Sequence, residues 1–303
     1  MNANDQSAVQ ARGLHFAYSG EKAIFSGLEM DVPLGSVYGL LGANGIGKST
    51  LMKALVGLLP LQAGRINLLG GPIRQKAFQD VGLLIEQPNI YPHLSGVDNL
   101  LVMATYRKTE RSRVSEVLNL VGLEEAGNKQ VRHYSTGMKQ RLGIALAILH
   151  RPRLLLLDEP ANGLDPVGIV AIRRLIRALN QEEGMTILLS SHLLSEVEQS
   201  CTHLGILARG RLAYQGSLEG ARSQLSQGLR LRLHCNPTGP ALDAMRAAGW
   251  KADPGENGGL QLLLSGKPEI SQVIDLLRGA GIDIHELIIE EDRLEDFFLS
   301  LYQ

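Results

Sequence analysis

Cysteine, aromatic side chains and long apolar runs are all scarce in this chain, and each scarcity closes off a class of protein. Only Cys201 and Cys235 are present, far apart and outside any Cys-x-x-Cys spacing. That excludes a disulfide framework or a cysteine zinc site and fits a reducing compartment. Both are expected to be small semi-buried hydrophobes. Aromatics are 4% of 303 residues, too few for a base-stacking platform. Thirty basic against 31 acidic residues leave a net charge of −1, whereas a nucleic-acid partner is usually met by a basic surface. No nucleic-acid partner is expected. No apolar run reaches the ~18 residues that span a bilayer, and the richest stretch, Leu142 to Leu157, is broken by His150-Arg151-Pro152-Arg153. The polar start, Met1 to Gln6, lacks the layout of a secretory signal. If the protein acts at a membrane, another chain must span it.

What is present is an ordinary globular composition, 44% hydrophobic and 20% charged, over a length suited to roughly two domains. Continuous apolar runs at Ser36–Leu41, Val81–Ile85, Leu154–Leu157 and Thr186–Leu189 predict strands buried on both faces of a largely parallel sheet. Asp165 and Pro166 read as the N-cap and first position of a helix, with Ile169, Ile172, Ile176 and Leu179 on its apolar face. Residues 93–150 are helical in pattern and interrupt the strand spacing, so they are expected to form a helical insertion. These features predict a doubly wound α/β domain over residues 1–216. Beyond it, residues 217–303 carry 8 basic against 13 acidic side chains, a net −5. Their order predicts a small α+β domain, β-α-β-α-β-α. Its last helix starts at a capping-box pattern, Asp292 and Glu295, and presents Leu294, Phe297, Phe298 and Leu301 as an apolar docking face.

Two segments carry chemistry. Gly42-Ala43-Asn44-Gly45-Ile46-Gly47-Lys48-Ser49 fits G-x-x-x-x-G-K-[ST] and lies between a predicted strand and a predicted helix, the context that the motif requires. Its glycines let successive N–H groups turn toward phosphate oxygens, and the helix N-terminus adds positive potential. Lys48 is suited to the β- and γ-phosphates, the Ser49 hydroxyl to Mg²⁺, and Thr50 completes the loop. The second segment is the run Leu154–Leu157 followed by Asp158-Glu159-Pro160. A buried strand ending in two acids places Asp158 at the carboxyl edge of the sheet, where ligands of such sheets bind. Asp158 is suited to the hydration shell of Mg²⁺, and Glu159 to polarising an attacking water.

With these two segments, the chain over about residues 10–216 resembles the nucleotide-binding subunits of ABC transporters. Gln87 stands where the family has its Q-loop glutamine, and Tyr134-Ser135-Thr136-Gly137-Met138-Lys139-Gln140-Arg141 where it has its signature. Asn162-Gly163-Leu164-Asp165 resembles the D-loop, Ser190-Ser191-His192 the switch histidine, and Tyr18 the adenine-stacking aromatic. In the signature, Thr136 replaces a glycine and Met138 the usual glutamine, while Ser135 and Gly137 are retained.

The resemblance implies a P-loop NTPase, RecA-like core with an antiparallel β subdomain, a helical subdomain and the small C-terminal α+β domain. It implies an ATPase with ATP and Mg²⁺ as cofactors. Glu159 and His192 would be catalytic, Ser49, Gln87 and Asp158 would meet the metal, and Ser135, Gly137 and Asp165 would meet nucleotide across a head-to-tail dimer. It further implies a peripheral position on the cytoplasmic face of the cell membrane, with a separate polytopic permease docking near Pro88–Leu94. The signature, the D-loop and the acidic-aromatic ending are similar to those of bacterial subunits serving drug-, bacteriocin- or polysaccharide-exporting permeases. An importer subunit and a soluble single-cassette ATPase are the alternatives.

Overall fold

The computed structural model describes residues 7–20, 22–73, 79–225, 229–255 and 259–290, with Leu294 and Phe298. The chain divides into two compact units, Met1–Leu218 and Glu219–Gln303.

The first unit is built on two sheets. β1 (Ser7–Phe16), β2 (Phe25–Pro33), β4 (Ala63–Leu68) and β5 (Gly71–Pro72) form an antiparallel sheet in the order β2-β1-β4-β5. The second sheet has six strands: β3 (Val37–Leu41), β6 (Val81–Leu84), β7 (Leu154–Leu157), β8 (Thr186–Ser191), β9 (His203–Ala208) and β10 (Arg211–Ser217). Their order is β10-β9-β3-β8-β7-β6, parallel throughout except for the antiparallel edge strand β10. Every residue of β3, β7 and β8 is buried, which is why their sequences are apolar without alternation. At about 2–5 kcal/mol for each buried leucine truncated to alanine, Leu154–Leu157 alone makes β7 a fixed element.

Helices α5 (Pro166–Gln181) and α6 (Leu194–Ser200) join strands of this sheet, whereas α1 (Lys48–Leu55) leads from β3 to β4 of the other sheet. The Asp165 carboxylate accepts from the Gly168 N–H at 2.7 Å, with Pro166 opening α5. α5 turns Ile172, Leu175, Ile176 and Leu179 to the core. Between β6 and β7 lie α2 (Gly96–Arg107), α3 (Ser112–Leu120) and α4 (Thr136–Ile148), where the sequence pattern predicts a helical insertion. α2 opens on a capping box in which Ser95 Oγ accepts from the Asp98 N–H at 3.0 Å. α6 packs hard on β3: a Cβ at Gly39 would come within 2.7 Å of Val197 Cγ1 and 3.0 Å of Cys201 Sγ. Cys201 is buried and free, and burial pushes its thiol up.

α7 (Leu218–Leu225) lies at the boundary. In the second unit β11 (Leu229–Asn236), β12 (Ala252–Pro254), β13 (Leu260–Leu264) and β14 (Asp283–Glu290) pair antiparallel in the order β12-β13-β11-β14. α8 (Thr238–Ala247) and α9 (Pro268–Gly279) share a core with one face of the sheet. Leu231, Leu233, Leu260 and Leu262 meet Ala241, Met245, Val273 and Leu277 there. The short strand β12 adds to the expected order, since three residues ending in a proline carry no period-two signal. The expected final helix, with its cap at Asp292 and Glu295 and with Phe297 and Leu301 on its face, lies outside the described residues except for Leu294 and Phe298.

Candidate functional site

Four adjacent strands, in the order β3-β8-β7-β6, run parallel and in register, with Leu41 beside Ser191, Leu189 beside Leu157, and Leu157 beside Leu84. Their carboxyl ends therefore share one edge. The residues following them are Gly42, His192, Asp158-Glu159 and, one place beyond Ile85, Glu86-Gln87. Segments 33 to 150 residues apart in sequence are neighbours because the crossovers bring each strand back in the same direction.

The loop after β3 is shaped by glycine at two positions. Gly45 and Gly47 have φ of 78° and 110°, values open to glycine and costly for other residues. A Cβ at Gly47 would also lie 2.6 Å from Ile24 Cγ2. Gly47 is the N-cap of α1, and its carbonyl accepts from the Leu51 N–H at 2.8 Å. Ala43, Asn44 and Gly45 are exposed, Ile46, Ser49 and Thr50 half-buried. Lys48 is buried at 5% exposure, and its Nζ turns back to donate to the carbonyls of Gly42 (2.8 Å) and Ala43 (3.2 Å).

That ammonium also meets Glu159, with Nζ 3.1 Å from Oε1. The other Glu159 oxygen, Oε2, is 2.6 Å from His192 Nδ1. A carboxylate only accepts, so Nδ1 carries the hydrogen of this bond. Ser190 at the end of β8 ties the two acids together: its hydroxyl donates to Asp158 Oδ1 at 2.6 Å and accepts from the Glu159 N–H at 2.8 Å. Asp158 is buried, and its second oxygen has no hydrogen-bond partner among the described residues. Glu159 adopts φ 48°, a left-handed conformation unusual for a side-chain-bearing residue. Such strain persists only where surroundings hold it, and here Ser190, Lys48 and His192 do so. Lys48, Asp158, Glu159 and His192 thus form one connected group.

Gln87 is exposed and shares a cavity of about 500 Å³ with Glu86, Asp158, Glu159, Asn162 and the first turn of α4 through Thr136, Lys139 and Gln140. A hydroxyl, a carboxylate and an amide (Ser49, Asp158 and Gln87) make a set of hard oxygen donors, which fits Mg²⁺ bound partly through phosphate and water. Other expected site residues stand apart from the connected group. Ser135 caps α4, accepting from the Met138 N–H at 3.2 Å, and is exposed. Gly137 has only the distant Leu164 Cδ2 near its Cβ position, at 3.8 Å. Asp165 is engaged with its own helix. Tyr18 is 42% exposed, its ring edge-on to Phe16 at 5.0 Å. A second cavity, about 270 Å³, is lined by Leu58, Leu83–Ile85, Pro88, Asn89, α2 residues Met103 and Arg107, and α4 residues. Ile90 and Leu94 are half-buried and outside that lining.

Two participants escape a reading of the sequence. Ser190 sits in an apolar strand, and only its place beside Asp158 gives it a task. Glu196, in the first turn of α6, lines a cavity of about 130 Å³ together with Glu159, Ser190 and His192. Burial lifts the Glu196 carboxyl above the ordinary carboxylate range, Arg173 and His192 pull it back, and Glu159 pushes it further up. Among the described residues no helix is long and apolar enough to cross a membrane.

Comparison with known proteins places this geometry. The family model described as ABC transporter matches residues 25–162. The chain is 35% identical to a bacitracin transport ATP-binding protein, BcrA of Bacillus licheniformis, over 97% of its length and 96% of the relative's. It is 41% identical to a lantibiotic transport ATP-binding protein, SrtF of Streptococcus pyogenes, over 67% of its length and 89% of that protein's. Among solved structures, CbiO1 of Clostridium perfringens, part of the ABC transporter complex CbiONQ, superposes with a TM-score of 0.67 at 28% identity. That match covers 72% of this chain and 92% of CbiO1.

Proposed function

This chain belongs to the ABC transporter ATP-binding proteins, and we propose that it powers export by a separate polytopic permease, two copies closing head to tail on ATP. The single observation that carries the reading is the unbroken link Lys48–Glu159–His192 at the carboxyl edge of the sheet, with Asp158 fixed beside it by Ser190. Phosphate oxygens compete with Glu159 for the Lys48 ammonium. Once Lys48 turns to phosphate, Oε1 of Glu159 is released to accept a proton from water, while Oε2 stays on His192. His192 then directs Nε2 at the γ-phosphate. The backbone N–H groups of Gly42–Thr50 cradle the phosphates and Tyr18 stacks on adenine. Ser49, Asp158 and Gln87 would hold Mg²⁺, which would supply charge neutralisation to the phosphates.

Ser135, Gly137 and Asp165 lie outside the connected group of their own chain, which supports a role toward the nucleotide of a second copy. The cavity between α2, α4 and Pro88, where Leu58, Leu83, Met103 and Leu146 stand beside Asn89 and Arg107, supports docking of a short helix from the permease, and through it a peripheral place on the cytoplasmic face of the membrane. Relatives named for transport of bacitracin and lantibiotics, one matched over almost the full chain, support export of peptide-like cargo.

The test is to tag the full chain, solubilise its native membranes in mild detergent, and identify the co-purifying proteins by mass spectrometry. A stoichiometric polytopic protein, lost when Leu146→Asp charges the cavity but retained in a variant with normal ATP binding, is expected. A soluble complex without a membrane subunit would overturn the transport reading.

A further inference from the structure

Of the three residues suited to Mg²⁺, Gln87 is the one that no contact of its own holds. It is exposed and makes no hydrogen bond or ion pair among the described residues. Its neighbours on either side are anchored instead. Pro88 biases Gln87 toward extended backbone, and it packs so closely on α4 that a Cβ at Gly143 would come within 2.7 Å of Pro88 Cβ. Glu86 has φ 65°, a left-handed conformation that is costly for a side-chain-bearing residue and persists only where its surroundings hold it. The Glu86 carboxylate accepts a hydrogen bond from Lys53 Nζ, and the two charges form an ion pair. Lys53 lies on α1 four residues after Ser49, one helical turn along the same face. Asp158 is tied to the same strand end, its N–H donating to the Leu84 carbonyl at 2.8 Å.

We propose that Lys53 and Glu86 are a pair of positioning residues, clasping the turn before Gln87 to the Ser49 face of α1 and so fixing where the Gln87 amide stands relative to Ser49 and Asp158. The inference rests on the reading of Ser49, Asp158 and Gln87 as the residues that hold Mg²⁺. Glu86 lines the cavity of about 500 Å³ that Gln87, Asp158 and Glu159 share, so the clasp lies at the site itself. The Lys53 side chain is 28% exposed and that of Glu86 65%, and an ion pair so open to water adds little to folding stability. Its consequence is local: it selects one conformation of a strained turn whose next residue is Gln87. The competing role is a surface link between α1 and the end of β6 with no bearing on Gln87.

The experiment titrates a fluorescent ATP analogue onto the full-length chain, with Mg²⁺ and with EDTA, and measures kcat and KM for ATP. The variants are Lys53→Met, Glu86→Gln, their combination and Lys53→Arg, with Gln87→Ala as reference. Lys53→Met and Glu86→Gln should each lose about fivefold in kcat and in the tightening that Mg²⁺ gives to ATP binding, the upper end for a part-exposed ion pair. Binding in EDTA should stay within about twofold of wild type, and the combined variant should be no worse than either single one. Lys53→Arg, which keeps the cation, should restore both quantities. Losses that add in the combined variant would overturn the proposal, since the two residues would then act apart. So would a lowered Tm with kcat and Mg²⁺ dependence unchanged, the outcome of a surface link. Gln87→Ala with wild-type kcat and Mg²⁺ dependence would instead remove the reading of Gln87, and this inference with it.

Discussion

The parallel sheet of the first unit and the antiparallel sheet of the second handle polar residues in opposite ways. In the first, every crossover returns the chain in the same direction, so the ends of β3, β6, β7 and β8 open on one edge. Lys48, Asp158, Glu159 and His192 collect there. In the second, β11 alternates strictly, with Leu231 and Leu233 buried and Arg230, Arg232 and His234 on the opposite face. Polar side chains there are spread along a surface, and the approach of His234 to Glu286 is a loose 4.0 Å. Topology, more than composition, decides where chemistry concentrates: crossovers gather distant residues at an edge, whereas alternation distributes them over a face.

The largest break in this contrast should come from Lys48→Ala. Loss of a charged donor to phosphate, at about 1.5–3 kcal/mol per hydrogen bond to a charged group, predicts ATP binding weaker by about 100-fold. A fluorescent nucleotide titration would read it. Arg230→Ala, on the open face of the second unit, should leave that affinity unchanged.

Next come two glycines. Gly39→Ala drives a Cβ against Val197 and Cys201, and the overpacking should cost about 1–3 kcal/mol. Because α6 begins two residues after His192 and must shift, hydrolysis should fall as well. Gly279 ends α9 with nothing within 4 Å of its Cβ position. Gly279→Ala should therefore stabilise by about 0.4–1 kcal/mol. Denaturant melts of both variants would show opposite signs.

The smallest effect is acid sensitivity at His150. Burial holds its ring below the ordinary 6.5, with Arg107 adding to the depression, while Nε2 lies 3.1 Å from the Val81 carbonyl and Nδ1 is buried without a hydrogen-bond partner among the described residues. The unfolded chain takes up a proton that the folded chain resists. This contribution to stability is therefore whole above pH 6.5 and is lost as the pH falls through the depressed folded value. Replacing His150 with Gln should flatten the decline of Tm on acidification, by no more than about 2 °C.

Much of this arrangement is legible in the sequence where local chemistry is decisive. The run Leu154–Leu157 is apolar because β7 is buried on both faces, and Asp165-Pro166 caps α5 as its residue types require. The loop Gly42–Ser49 reads directly, since its glycines answer to backbone angles. Other features depend on strand order, which no local pattern carries. Ser190 acts only because β8 lies next to β7, and the left-handed turn at Glu159 is held by residues 31 and more positions away. Glu196 looks like any acid in the first turn of a helix until its cavity is seen. Short elements are also silent: β5 has two residues and β12 three.

The most direct test of the central claim is a single substitution at the centre of the cluster, Glu159→Gln, assayed at saturating ATP and Mg²⁺. Hydrolysis should fall by at least about 100-fold, ATP should remain bound within a few-fold of wild-type affinity, and light scattering should show the chain held as an ATP-dependent dimer. Hydrolysis at the wild-type rate, with no dimer on ATP, would contradict the assignment of Glu159 and the account of the carboxyl edge built on it.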